Sequence, residues 1–125
     1  MKSVKVIIAL NGAKKRNVGK VIDVLEKRKF TFINKENHSF NESGLNTEVI
    51  DLKSICQSSN FIQPLMDIFP KNIVERKIHD FIYDHISLTF ETEKDEIKAD
   101  VIKEYIAMNV YPNSKKRPLM CVFIS

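Results

Sequence analysis

"VKVIIALNGAKKRNVGKVIDVLEKRKFTFIN", residues 4–34, is the stretch that decides the fold. Its first seven residues, Val4 to Leu10, are an apolar run, with Lys5 as the one charge, rich in β-branched side chains and ended by Asn11-Gly12. That composition belongs to a strand buried on both faces. From Val18 or Gly19 to about Arg28 the period changes. Val18, Val21, Ile22 and Leu25 recur at helical spacing, and Lys27 and Arg28 fall in the last turn, where cations complement the negative end of the dipole. "FTFIN", residues 30–34, then reads as a short strand. Strand, helix and strand in succession make a β-α-β unit, whose crossover is expected to be right-handed.

Outward from this unit the pattern is mixed. "KENHSFNESGLN", residues 35–46, has no periodicity and reads as a loop. Leu45, Val49, Leu52 and Cys56 recur at four, three and four, which predicts a short helix from about Glu48 to Gln57 with Thr47 as its cap; "EVIDL" would equally pair as a strand. "SSNFIQPLMDIFP" is dense in apolar residues, with Pro64 suited to a helix's first turn and Pro70 ending it. Ile73, Val74, Ile78, Phe81, Ile82, His85 and Ile86 trace one face of a helix of about seventeen residues. "TEKD", residues 92–95, resembles a capping box opening a further helix, with Ile97, Val101, Tyr105 and Met108 as its buried stripe and Pro112 beyond its end. "PLMCVFIS" closes the chain as another buried strand.

The totals agree with a folded domain. A chain of 125 residues can bury roughly two-thirds of its extended surface without metal or disulfide. The apolar runs are far shorter than the ~20 residues that span a bilayer. The five-residue apolar run near the N-terminus, followed by Lys14-Lys15-Arg16, does not make a secretory leader. Cys56 and Cys121 share no metal-binding spacing and sit among apolar neighbours, so buried thiols in a reducing cytoplasm are expected. The expectation is one small α/β domain over residues 1–125, with a three- to four-stranded sheet and four to five helices.

Charge is unevenly spread. Residues 1–35 carry ten Lys/Arg against two acids, residues 36–111 carry seven against fourteen, and Lys115, Lys116 and Arg117 add a basic patch near the end. Such a dipolar chain either draws anions to one side or neutralises itself across the fold. The basic loop has the context of a phosphate cradle: a strand, Gly12, the cations Lys14, Lys15 and Arg16, then Gly19-Lys20 opening a helix. Here the chain resembles, over its first thirty or so residues, the phage and bacterial deoxynucleoside monophosphate kinases. That resemblance implies Gly12 as the turn glycine, Gly19 as the glycine of close approach and Lys20 as the phosphate lysine, with Lys14, Lys15 and Arg16 in the basic segment.

Departures from the motif argue against catalysis. Six residues separate Gly12 from Gly19 where a P-loop has four, Val21 stands where a hydroxyl or carboxylate would hold magnesium, and the last strand has no acid. A degenerate loop that binds a nucleotide or other phosphorylated ligand without turnover is the leading expectation, beside the plain alternative of a basic surface turn. The runner-up is a protein-interaction module acting through acidic helices, such as a phage-encoded inhibitor of a host factor. An active phosphotransferase is the third expectation. The Lys-, Asn- and Ile-rich composition fits an AT-rich genome such as a phage's. Nucleic acid is disfavoured by the six acids between Glu91 and Glu104, and Phe30 and Phe32 after "EKRK" offer the only basic–aromatic interleaving. His79 and His85 fall on opposite sides of a helix, adjacent His79 and Asp80 do not face each other, and His38 reads as a loop histidine beside Glu36 and Glu42. No metal site or cofactor is expected. If the first and last strands are antiparallel neighbours, Lys14–Arg16 and Lys115–Arg117 meet at one edge.

Overall fold

In the first strand alternate residues face opposite ways, yet apolar side chains fall on both sides, so both of its faces require cover. The computed structural model describes residues 1–10, 17–39 and 47–125. Within them β1 (Lys2–Ala9) turns Val4, Val6 and Ile8 to one face and Ile7 and Ala9 to the other, all buried. α1 (Val18–Glu26) and β2 (Thr31–Ser39) follow, then α2 (Thr47–Cys56), α3 (Ser59–Met66) and α4 (Lys71–Tyr83). β3 (Asp84–Thr92), α5 (Ala99–Val110), a 3-10 turn (Ser114–Lys116) and β4 (Met120–Ile124) complete the order. The fold is α/β, with four strands and five α-helices among the described residues.

The sheet order is β2-β3-β1-β4, and each neighbouring pair is antiparallel. β1 and β2 are therefore parallel to each other with β3 between them, and β3 and β4 are parallel with β1 between them. This is a pair of interleaved split β-α-β units. The crossover helices α1 and α5 cover the same face, over Val4, Val6, Ile8, Ile86, Leu88, Phe90 and Met120. α2 and α4 cover the other, over Ile7, Ala9 and Cys121. The two crossovers run in opposite directions across one face, so they share one hand.

Several expectations are corrected. The helix expected through Ile86 ends at Tyr83, and His85 and Ile86 belong to β3. Register explains it: Ile86, Leu88 and Phe90 lie opposite Ile8, Val6 and Val4, and this cross-strand burial outweighs continuation of the helix. β2 runs on to Ser39, inside the expected loop, because an edge strand pairs through its main chain and tolerates polar side chains. Thr92 caps no helix; its hydroxyl donates to the Lys29 carbonyl (3.1 Å) and accepts from the Lys94 amide (3.2 Å), and α5 begins only at Ala99. α5 buries Ile102, Ile106, Ala107 and Val110, whereas Val101 and Met108 are 63% and 65% exposed. Pro64 lies at the sixth position of α3, past its first turn, and Pro70 precedes α4. "EVIDL" is helical, with Val49, Leu52 and Cys56 buried and Thr47 inside the helix; Leu45 lies outside the described residues. α1 stops at Glu26, so Lys27 and Arg28 follow it. Among the described residues no helix is long and apolar enough to cross a membrane.

Candidate functional site

The helix period of Val18, Val21 and Leu25 fixes how α1 starts, because these three side chains are buried against the sheet. The residues between them face outward. Gly19 and Lys20 are both exposed in the first turn. Asn17 precedes the helix with φ −88° and ψ −7°, and its side chain makes no capping hydrogen bond. The first amides of α1 are thus left without that partner, at the positive end of the helix. A Cβ built on Gly19 would meet nothing within 4 Å, so packing does not demand glycine here. Val21, the residue after the lysine, is fully buried and points away from any ligand at the helix end. Gly12, Lys14, Lys15 and Arg16 lie outside the described residues.

Topology brings the second basic patch to the same end of the sheet. β1 and β4 are antiparallel neighbours with Ile8 opposite Met120, and the Ala9 amide donates to the Leu119 carbonyl (3.0 Å). The turn before β4 therefore lies where β1 ends, and α1 starts at that end because its other end leads into Thr31, across β3 from Ser3. Lys115 and Lys116 are exposed in a turn held by the Asn113 side chain, which accepts the Lys115 amide (3.1 Å). Arg117 is half-buried and its Nε donates to the Tyr111 carbonyl (2.9 Å), so one of its donors is committed.

Other candidate groups settle into structural surroundings. Cys56 and Cys121 are buried in one cluster beneath α2. Burial, with a smaller contribution from Cys121 and an opposing one from Lys103, pushes the Cys56 thiol up to about 12. Burial pushes Cys121 up to about 11, against Lys103. Neither is a thiolate nucleophile near neutral pH. His79 and Asp80 do approach, at 3.7 Å, but as an exposed pair on the surface of α4. The adjacent side chains bend toward each other, and the water around them keeps such a pair weak.

One pairing was hidden from the sequence. His38, on β2 rather than in a loop, stacks on the fully buried His85 of β3 with ring centroids 4.7 Å apart and planes 18° apart. His85 Nδ1 lies 3.1 Å from the Ile82 carbonyl, which fixes that nitrogen as the protonated one. His38 also stands 3.7 Å from Glu36. Finding this pair required the register of β3, which the helical reading of residues 73–86 concealed. Among the described residues no group of three or more His, Cys, Asp or Glu could hold a metal ion.

The chain matches no family model, no curated protein and no solved structure.

Proposed function

We propose that the protein is a small binding protein that holds a phosphorylated ligand, without catalysis, at the basic end of the sheet. The carrying observation is the antiparallel pairing of β1 with β4, which puts the amino end of α1, with Lys20, and the Lys115–Arg117 turn at one end of the molecule. The positive amino end of a helix beside cations suits a phosphate group. The ligand site would comprise Gly12, Lys14, Lys15, Arg16, Gly19 and Lys20, supplemented by Lys115 and Lys116. Binding without turnover is supported by the buried Val21 at the metal-facing position of the phosphotransferase motif and by two thiols held protonated.

Thermal shift against ATP, deoxynucleoside monophosphates, cyclic nucleotides and inorganic phosphate tests the reading, since a ligand bound only by the folded state raises the melting temperature. At a hundredfold excess over Kd the stabilisation is about 2.7 kcal/mol. Lys20→Ala should abolish the shift, and the double variant Lys115→Ala, Lys116→Ala should reduce it. No shift with any of these compounds defeats the reading.

A second reading, a protein-interaction module, is favoured by α3. That helix carries Phe61, Ile62, Leu65 and Met66 yet buries none of its residues fully, and Ile50, Met66 and Ile68 are exposed nearby in sequence. Exposed apolar side chains that gather into a patch mark interaction sites, and these residues are the candidates for one. Capture from lysate by wild type, lost on Met66→Asp, is the outcome expected of this module.

A further inference from the structure

The far end of α1 forms a different feature. Between its carboxyl end and the amino end of α5 lies a groove of about 830 Å³. Small-molecule sites run roughly 300–1,000 Å³, mostly apolar, with a few polar groups that orient the ligand. Leu25, Phe30, Ile97 and Ile102 line this groove, with Val101 and Tyr105 also contributing. Val101 is 63% exposed, an apolar side chain that the fold leaves uncovered.

Two of the cations here sit over aromatic rings. Arg28 Cζ lies 4.8 Å from the centroid of the Tyr105 ring, and Lys94 Nζ lies 5.2 Å from that of Phe30. Tyr105 is itself pinned, its hydroxyl donating to the Val24 carbonyl at 3.3 Å. A guanidinium over an aromatic face keeps a planar fork of N–H donors available for an oxyanion, with less freedom to lose on binding. The ion pairs among the described residues, His38–Glu36 and His79–Asp80, involve neither Arg28 nor Lys94 nor Lys98. Asp95 and Glu96 also line the groove, so three cations face two carboxylates.

We infer that this groove binds an organic monoanion with a flat apolar body, an aromatic carboxylate being the simplest case. The apolar lining takes the ring system, and Arg28, with Lys94 and Lys98 beside it, takes the carboxylate. The surplus of one positive charge suits a single negative charge better than a polyphosphate. The site is independent of the phosphate reading, because Lys20 sits at the opposite end of α1.

The test is titration of the full chain with 2-naphthoate and its neutral isostere 2-naphthamide, followed by ligand fluorescence and amide NMR shifts. Wild type should prefer the naphthoate by roughly tenfold, as charge-assisted hydrogen bonds exceed neutral ones, with shifts at Ile97, Val101 and Tyr105. Arg28→Gln should erase the preference, Arg28→Lys restore part of it, and Val101→Glu weaken naphthoate binding. Lys20→Ala should leave both affinities unchanged. Arg28 and Val101 are exposed, so these variants should keep the wild-type melting temperature. Equal or absent binding of the two probes to wild type, or a preference that survives in Arg28→Gln, overturns the inference. So does loss of naphthoate binding in Lys20→Ala, which would move the anion to the other end of the helix.

Discussion

Lys29 is the described non-glycine residue with a left-handed backbone, at φ 71°. It sits where α1 ends, and the surrounding bonds show why the conformation persists. The Phe30 amide donates to the Leu25 carbonyl and the Lys29 amide to the Glu26 carbonyl, each at 3.2 Å, a pattern that closes a helix and normally employs glycine. The Thr92 hydroxyl ties down the Lys29 carbonyl from β3. This corner sends Phe30 into the core and leaves Arg28 over Tyr105. Because "RKF" contains no glycine, nothing in the sequence announced the turn. Lys29→Gly should stabilise the protein by about 0.5–1 kcal/mol in urea unfolding, because a Cβ is costly in this conformation. Lys29→Val should be destabilising, since branching at Cβ worsens the same clash; a Gly variant less stable than wild type would refute the strain.

At the scale of elements, legibility depended on whether one periodicity stood alone. β1, α1 and β4 each show one pattern, and the sequence located them to within a few residues. The α4–β3 junction shows two: Ile78, Phe81, Ile82 and Ile86 fit a helix, while Ile86, Leu88 and Phe90 fit a strand, so Ile86 satisfies both. α5 likewise carries two apolar stripes at helical spacing. Ile102, Ile106 and Val110 meet the sheet, while Val101 and Met108 remain outside; only the placement of α5 over the sheet selects between them. The docking of α2 on β4 through Cys56 and Cys121 has a measurable signature in pH. Each thiol has its folded value raised above the ordinary 9.0, to about 12 and about 11. The unfolded chain therefore ionises first, and stability that is intact below pH 9 should fall as pH rises toward 11 and 12. Cys56→Ala, Cys121→Ala should flatten that alkaline decline in urea-unfolding free energy; an undiminished slope would show that these thiols do not cause it.

For the molecule as a whole, the sequence revealed an α/β class, a β-α-β start and a charge asymmetry, but not the interleaved strand order. Strand order is a long-range property: β3 enters between β1 and β2 after three helices, and local patterns carry no record of that. The candidate sites divide the same way. The basic end could be anticipated because Lys20 and the Lys115–Arg117 turn flank the two best-defined strands. The groove could not, since Arg28 and Tyr105 meet only through the packing of α1 on α5.

Ser3 and Ser125 exchange both of their backbone hydrogen bonds, each 2.9 Å, so the first and last strands are joined at their tips. A covalent ring could therefore be made with little distortion: a bridge of about four residues from Ser125 to Met1 would turn β4 and β1 into a hairpin. Opening such a ring at the exposed Ile68 gives a permuted chain in which the pairing of Ile8 with Met120, now distant in sequence, becomes local. Refolding of the permutant should be faster than that of the parent in stopped-flow denaturant jumps, because less loop entropy is lost before β4 meets β1. An unchanged rate would mean that β4 docks only after the barrier has been crossed.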